Sequence, residues 1–244
     1  MNKEFDFPTE TVELPSKGLL YPASNPLSSG TVVIKYMTAR EEDILTNRSY
    51  LEKGIVLDKL LKAVIVSEVN LDDLLLGDKN AILLATRILG YGKDYSFNYG
   101  DEEITVDLSA VDSKPLNEKL IEKGINEFSF NLPNSEIPIK FKILTHGDEK
   151  KISNELEGLK KINPTETHEL TTRLKYIITE VNGSRTSKDI RDFISKHLLA
   201  RDSRALREYI KQVQPDMNLT FFPDGKTKAV GIPIESSFFW PDSE

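Results

Sequence analysis

The feature that most limits the fold is an alternation along the chain between short segments of period two and longer segments of helical periodicity. In the short segments apolar and polar side chains alternate, and Gly, Pro, Asn and Asp stand between neighbouring segments. This pattern predicts antiparallel β-hairpins, because alternation buries one face of each strand and the intervening residues favour turns. Pro138 has no backbone N–H and favours an edge strand. The predicted hairpins span residues 95–108, 128–143 and 217–234, the last with a turn at 223–225.

Helical periodicity occupies most of the remaining chain. Thr38 and Glu41 have the spacing of a capping box, so a helix is predicted to begin there. Asp78 is the expected N-cap of a later helix that ends at Gly90. The predicted fold class is therefore α+β, with antiparallel β-hairpins packed with about seven helices. These helices are expected over residues 38–49, 57–68, 79–89, 148–159, 166–181, 187–198 and 203–213.

Residues 1–30 are predicted to form an extended, irregular N-terminal arm, because prolines at positions 8, 15, 22 and 26 block a regular helix. The arm also contains leucines and a tyrosine, so we expect it to pack against another surface. Beyond the arm, two arrangements stay open. Either an N-terminal α+β region at 31–112 precedes a C-terminal α+β region at 113–244, or the chain forms one continuous domain.

The composition excludes several classes of site. The 244 residues include no cysteine, which excludes disulfides, cysteine-ligated zinc and thiol nucleophiles. The formal charge of −7 disfavours binding to nucleic acid through overall charge. No apolar run approaches the roughly 18 residues of a membrane span, and the first residues lack the apolar core of a secretory signal. We therefore expect a protein without membrane association.

No familiar catalytic motif occurs. The three histidines, His146, His168 and His197, do not have metal-ligand spacing, and each is expected to be a surface or turn residue. A glycine-rich phosphate loop and a nucleophile elbow are also missing from the sequence. No two carboxylates have a sequence spacing that brings them together, so a hydrolase is disfavoured. We expect no enzymatic activity, no metal and no cofactor.

Two segments are candidates for partner binding. Residues 185–211 contain eight Lys and Arg residues against four Asp and Glu residues, which indicates either a solvated helix face or a face that binds a partner. Within it, Asp202 is an expected helix cap, and Arg204 and Arg207 share one face. Near the C-terminus, Phe238, Phe239 and Trp240 either fold back into the core or anchor a partner.

Several segments together resemble one family. The opening stretch LPSKGLLYP at 14–22 is followed by MTAREEDILT at 37–46, then by RILGYG at 87–92. ARDSRALR at 200–207 and the closing aromatics at 238–240 continue the series. The chain resembles the baseplate hub assembly protein family of T4-like contractile-tailed bacteriophages over almost its whole length. Relatives often carry paired cysteines near 97–105 and 221–229, but this chain has none, so no zinc turn is expected.

The resemblance implies a non-enzymatic role in tail morphogenesis. The protein would be a baseplate hub protein or a hub assembly factor that binds hub or wedge proteins in the cytoplasm of the infected bacterium, and it would either remain in the virion baseplate or leave. The alternative is a nucleic-acid-binding adaptor that uses residues 185–211. The candidate partner-binding residues are Leu14, Leu19, Leu20, Tyr21, Arg201, Arg204, Arg207, Phe238, Phe239 and Trp240.

Overall fold

The N-terminal segment contains a strand and is not irregular throughout. The computed structural model describes residues 8–100, 102–222, 229–234 and 236–239. Strand β1 (Thr9–Glu13) pairs antiparallel with β2 (Thr31–Lys35), so the predicted arm and the residues directly after it belong to one two-stranded sheet. The chain between them makes tight turns and the 3-10 helix Pro26–Ser29. The prediction of an extended, irregular arm is therefore wrong for residues 9–13, whose extended backbone has a partner strand.

Four helices follow this sheet: α1 (Ala39–Leu45), α2 (Arg48–Glu52), α3 (Val56–Val64) and α4 (Leu76–Tyr91). The capping box of Thr38 and Glu41 at the start of α1 is confirmed. The single helix predicted over 38–49 is instead two helices, because Asn47 caps α2 by accepting a hydrogen bond from the backbone N–H of Tyr50. Asp78 does not cap α4, which begins two residues before it.

The strands in the middle of the chain form two further sheets. The hairpin of β3 (Asp94–Tyr99) and β4 (Glu102–Asp107) is confirmed. The second hairpin, β5 (Phe128–Asn131) and β6 (Pro138–Phe141), gains a third strand, β7 (Ile178–Val181), in the order β5-β6-β7. Pro138 therefore lies on the central strand and not on an edge. It is tolerated as the first residue of β6, because pairing with β7 begins at Ile139.

The C-terminal half contains the remaining helices: α5 (His146–Ile162), α6 (Glu169–Ile177), α7 (Ser187–Lys196) and α8 (Ala200–Val213). The helix predicted over 166–181 ends at Ile177, because the β-branched residues that follow pair with β6 as β7. A short pair, β8 (Thr220–Phe221) and β9 (Val230–Gly231), and the 3-10 helix Ser236–Phe239 follow. The predicted turn at 223–225 lies outside the described residues. The α+β fold class is confirmed.

Helix α4 lies in the middle of the core. Four consecutive residues, 81–84, are buried, so the helix is covered on more than one side. Gly77 lies in the first turn of α4, and the chain after α8 crosses this turn closely. A Cβ on Gly77 would lie 2.0 Å from the carbonyl oxygen of Pro215. Only glycine allows this approach. The hydrophobic cluster around α4 includes residues from β1 through to Phe239, so the described elements share one core.

Candidate functional site

The exposed face of α8 carries the charges that the sequence placed there. Apolar residues including Leu206, Ile210 and Val213 are buried on the opposite face of the helix. This division follows from the period of 3.6 residues, which separates the two sets on the helix surface. The exposed face contains four cations and one carboxylate: Arg201, Arg204, Arg207, Lys211 and Glu208.

A buried carboxylate holds the start of α8 in place. Asp202 is the third residue of the helix and fully buried, and its Oδ1 accepts hydrogen bonds from the backbone N–H and the side-chain amide of Asn134, both at 2.8 Å. Its Oδ2 accepts from the backbone N–H of Ser135 at 3.0 Å. The predicted cap is wrong, because Leu199 is the N-cap residue and the Asp202 carboxylate reaches the β5–β6 turn instead.

The three arginines of this face differ in their contacts. The Nε of Arg204 donates to Glu208 at 2.9 Å, an exposed pair of the kind that contributes little to stability. The Nε of Arg207 donates weakly to the carbonyl oxygen of Ser203 at 3.3 Å. Arg201 has no hydrogen-bond or ion-pair partner in the described part of the chain. Arg201 and Arg207 are therefore the cations most available to another molecule.

Other basic residues of the stretch 185–211 are engaged within the protein. Arg185 donates through two nitrogens to both carboxylate oxygens of Glu127, at 3.0 and 2.9 Å, and its Nε lies 2.9 Å from Glu180. These hydrogen bonds lower the pKa of the Glu127 carboxyl. Lys196 pairs with Asp192 four residues earlier on α7. The free positive charge of the stretch is therefore smaller than its sequence composition indicates. Among the described residues it is carried by Lys188 and Arg191 on α7 and by Arg201, Arg207 and Lys211 on α8.

An apolar residue stands beside this charged face. Leu199, directly before α8, is 50% exposed. An exposed leucine next to exposed arginines is a combination typical of protein contact surfaces, where an apolar contact is bordered by polar groups. We define the α8 face as Leu199 together with Arg201, Arg204, Arg207 and Lys211.

The N-terminal candidates are mostly part of the protein's own core. Leu14, Leu20 and Tyr21 are at most 5% exposed, and only Leu19 is partly exposed. The hydroxyl of Tyr21 donates to Asp78 Oδ2 at 2.6 Å and accepts from the backbone N–H of Leu75. The expectation that these three buried side chains bind a partner is therefore corrected. They attach the N-terminal segment to α4.

The same segment makes two further hydrogen bonds to α4. Asp78 accepts from the backbone N–H of Ser16 at 2.9 Å and from its hydroxyl at 2.7 Å. Burial raises the pKa of the Asp78 carboxyl, and the hydrogen bonds from Tyr21 and Ser16 offset this only in part. Desolvation also raises the pKa of the Tyr21 phenol. Residues 14–22, the first segment of the family resemblance, therefore stabilise this protein's own fold.

The closing aromatics also fold back. Phe238 and Phe239 are at most 1% exposed, and the ring of Phe238 packs edge-on against Tyr95 at 4.8 Å between centroids. The Nε of Arg87 on α4 donates to the carbonyl oxygen of Phe238 at 2.9 Å. Of the two alternatives left open by the sequence, the core position is the one observed for both phenylalanines. Trp240 lies outside the described residues.

A second charged region, which sequence reasoning missed, surrounds His146. This residue is only 3% exposed, so its assignment to the surface is wrong. As the first residue of α5 it places Nε2 at 3.0 Å from Oδ1 of Asp58 on α3, while Nδ1 lies 3.4 Å from Nζ of Lys79 on α4. The spacing of Thr145 and Asp148, a capping box, was the signal that could have located the helix start.

The ionisable groups around His146 are perturbed by burial and by one another. Desolvation lowers the pKa of the Lys79 ammonium, and the charges of Asp58 and Glu149 offset this in part. Desolvation also opposes ionisation of Asp58, but the hydrogen bond from His146 and the nearby positive charges outweigh it and lower the pKa of that carboxyl. Such perturbed groups often mark binding or catalytic sites, although ion-pair networks produce them too.

Metals, membranes and relatives give no further assignment. Within the described ranges, no group of three or more His, Cys, Asp or Glu side chains is arranged to hold a metal ion. No described helix is long and apolar enough to cross a bilayer. Comparisons of this chain with protein-family models, with curated proteins and with solved structures find no match in any of the three.

Proposed function

We propose that this protein is a baseplate hub protein or hub assembly factor of a contractile bacteriophage tail, and that it acts by binding other proteins in the infected cell. The family resemblance supports the biological setting. Its motif at 14–22 and the phenylalanines at 238 and 239 are in large part used to build this protein's own core, so they do not supply the contact surface. We assign the contact surface to the α8 face instead.

The observation that carries the proposal is the α8 face. Asp202 fixes the start of α8 through three hydrogen bonds to the β5–β6 turn, so the face is presented on a rigid support. Arg201 and Arg207 are exposed there beside Leu199 in a protein whose formal charge is −7. Because complementary charge directs association, the partner is expected to present an acidic surface with an apolar centre.

The test is recovery of partners from phage-infected cells. The double variant Arg201→Glu/Arg207→Glu reverses the two available charges without touching the core. We expect the tagged wild type to recover hub or wedge proteins, identified by mass spectrometry, and the variant to recover at least tenfold less. The matched control is Arg48→Glu/Lys53→Glu on and beside α2, where both cations are also exposed. Equal recovery by all three proteins would contradict the proposal.

A nucleic-acid-binding adaptor is the second candidate, and the same exposed arginines favour it. The engagement of Arg185 by Glu127 and Glu180 weighs against it, because a phosphate backbone needs several free cations in a row. The test is retention on DNA at about 50 mM salt. Retention that weakens steeply with added salt and is lost in Arg201→Glu/Arg207→Glu would favour the adaptor over the protein-binding role.

A further inference from the structure

The cleft beside His146 has the size and lining of a small-molecule site. Its volume is about 530 Å³, and it lies between α3, the start of α5 and the 3-10 helix Leu71–Asp73. Clefts of roughly 300–1,000 Å³ are typical of sites for small ligands. Ile55, Val69 and Leu71 supply apolar walls, and polar groups converge from three separate elements. None of the lining residues belongs to the α8 face, so this cleft is independent of the function proposed above.

The charges of the cleft do not balance. Asp58 is occupied by His146, and Asp72 pairs with Lys150 at 2.8 Å. The ammonium group of Lys62 has no hydrogen-bond or ion-pair partner among the described residues, and that of Lys59 only lies over the ring of Tyr50. Both lysines are exposed on the same side of α3 and line the cleft. Two lysines without an ion-pair partner among the described residues therefore face the cleft of a protein that is acidic overall.

Two further features favour a negatively charged ligand. The 17-residue helix α5 begins at the cleft wall with His146, and the N-terminal end of a helix carries partial positive charge. Lys79 does not line the cleft but lies behind His146, with Nζ 3.4 Å from Nδ1 of that residue. Among the described residues, the carboxylates that line the cleft are Asp58 and Asp72, and each already has a partner.

The free cations of the cleft suit a doubly charged anion. Among the described residues, the lysines at or behind the cleft are at positions 59, 62, 79 and 150. Lysine acts as a point charge with rotatable donors and is a common phosphate ligand. A phosphomonoester carries about −1.5 to −2 charge at neutral pH, which matches the two free lysines. We propose that the cleft binds a small organic phosphomonoester, with Lys59 and Lys62 holding the phosphate.

The test uses ¹⁵N NMR titration of the full chain with inorganic phosphate, then with a nucleoside monophosphate. We expect saturable shifts at the amides of Gly147 and its neighbours, with a dissociation constant of about 1 mM or lower. The nucleoside monophosphate should bind more tightly than phosphate, because the apolar walls contact its organic part. Lys62→Ala should weaken binding about tenfold, as expected for one charge-assisted hydrogen bond. Lys59→Ala/Lys62→Ala should abolish saturation.

The control is Lys188→Ala, which removes an exposed lysine of α7 far from the cleft lining. It should leave the titration unchanged, and unfolding midpoints of all variants should match the wild type. Three results would overturn the proposal: shifts that do not saturate, equal weakening in the control, or equal binding of succinate, a dicarboxylate. Preferential binding of an oligonucleotide without terminal phosphates would also overturn it, because that probe has only diesters.

Discussion

Asp78 and Asp202 occupy the same position in two different helices, yet the pKa values of their carboxyls are shifted in opposite directions. Each is the third residue of a helix whose N-cap is a leucine without a side-chain cap. Each carboxylate is fully buried and accepts three hydrogen bonds from a distant loop. The pKa of Asp78 is nevertheless raised, whereas that of Asp202 is lowered.

The donors and the depth explain the difference. Asp78, on α4, is deeply buried, and two of its three donors are the hydroxyls of Ser16 and Tyr21, so desolvation dominates. Desolvation also opposes ionisation of Asp202, but its donors lie nearer to solvent, since Asn134 is exposed and Ser135 is half-buried. The hydrogen bonds from Asn134 and Ser135, two of them from backbone N–H groups, outweigh the desolvation. Backbone amides favour the ionised carboxylate, so the same position has two electrostatic outcomes.

The largest expected effect comes from removing these carboxylates. Asp78→Ala should reduce the free energy of unfolding by about 4 kcal/mol, because Ser16 and Tyr21 are left with buried, unsatisfied donors. Asp202→Ala should cost about 2 kcal/mol, since the β5–β6 turn can be solvated once released. Urea denaturation measures both. A larger loss of stability for Asp202→Ala than for Asp78→Ala would contradict the stronger desolvation of the Asp78 site.

A smaller effect, on the order of 1 kcal/mol, should separate the two sites by pH. Between an unfolded pKa of about 3.9 and its raised native pKa, Asp78 holds more protons in the native state, so rising pH lowers the free energy of unfolding. Asp202 holds fewer native-state protons below about 3.9, so its contribution is lost as pH falls through its native pKa.

The measurement is the difference in unfolding free energy between the wild type and each asparagine variant as a function of pH. For Asp78→Asn the wild type's advantage should shrink as the pH rises above about 4. For Asp202→Asn it should shrink from about pH 5 downwards. The same pH trend for both variants would show that the two carboxylates are not electrostatically distinct.

The smallest expected effect is a stabilisation beside Asp202. The hydroxyl of Ser203 is buried and finds no hydrogen-bond partner among the described residues. Ser203→Ala should therefore raise the free energy of unfolding by about 0.5–1 kcal/mol. Ser195→Ala on α7 is the control, because that hydroxyl is exposed and donates to the carbonyl oxygen of Arg191. A loss of stability in Ser203→Ala would mean that the hydroxyl has a partner.

Local patterns predicted the elements well where each element is decided by its own residues. The β3–β4 hairpin follows from strict alternation around a Gly-Asp turn, and α7 follows from its apolar face and cap. The prediction failed where a distant partner decided the outcome. Residues 178–181 continue a helical pattern, yet they pair with β6 because its second edge was available. Likewise, the cleft around His146 forms only where three helices that are distant in sequence pack together.

The sequence by itself determined the α+β class, the positions of most helices and hairpins, and the exposed cations of α8, because each depends on spacing within about ten residues. Only the tertiary structure decided which polar residues became buried anchors. Asp78 meets Ser16 across 62 positions, and Asp202 meets Asn134 across 68. No local spacing encodes such pairs, since they form when packing of the core brings remote loops to the first turn of a helix. For the same reason the aromatic residues at 238 and 239 could be placed only by their contacts with α4 and Tyr95.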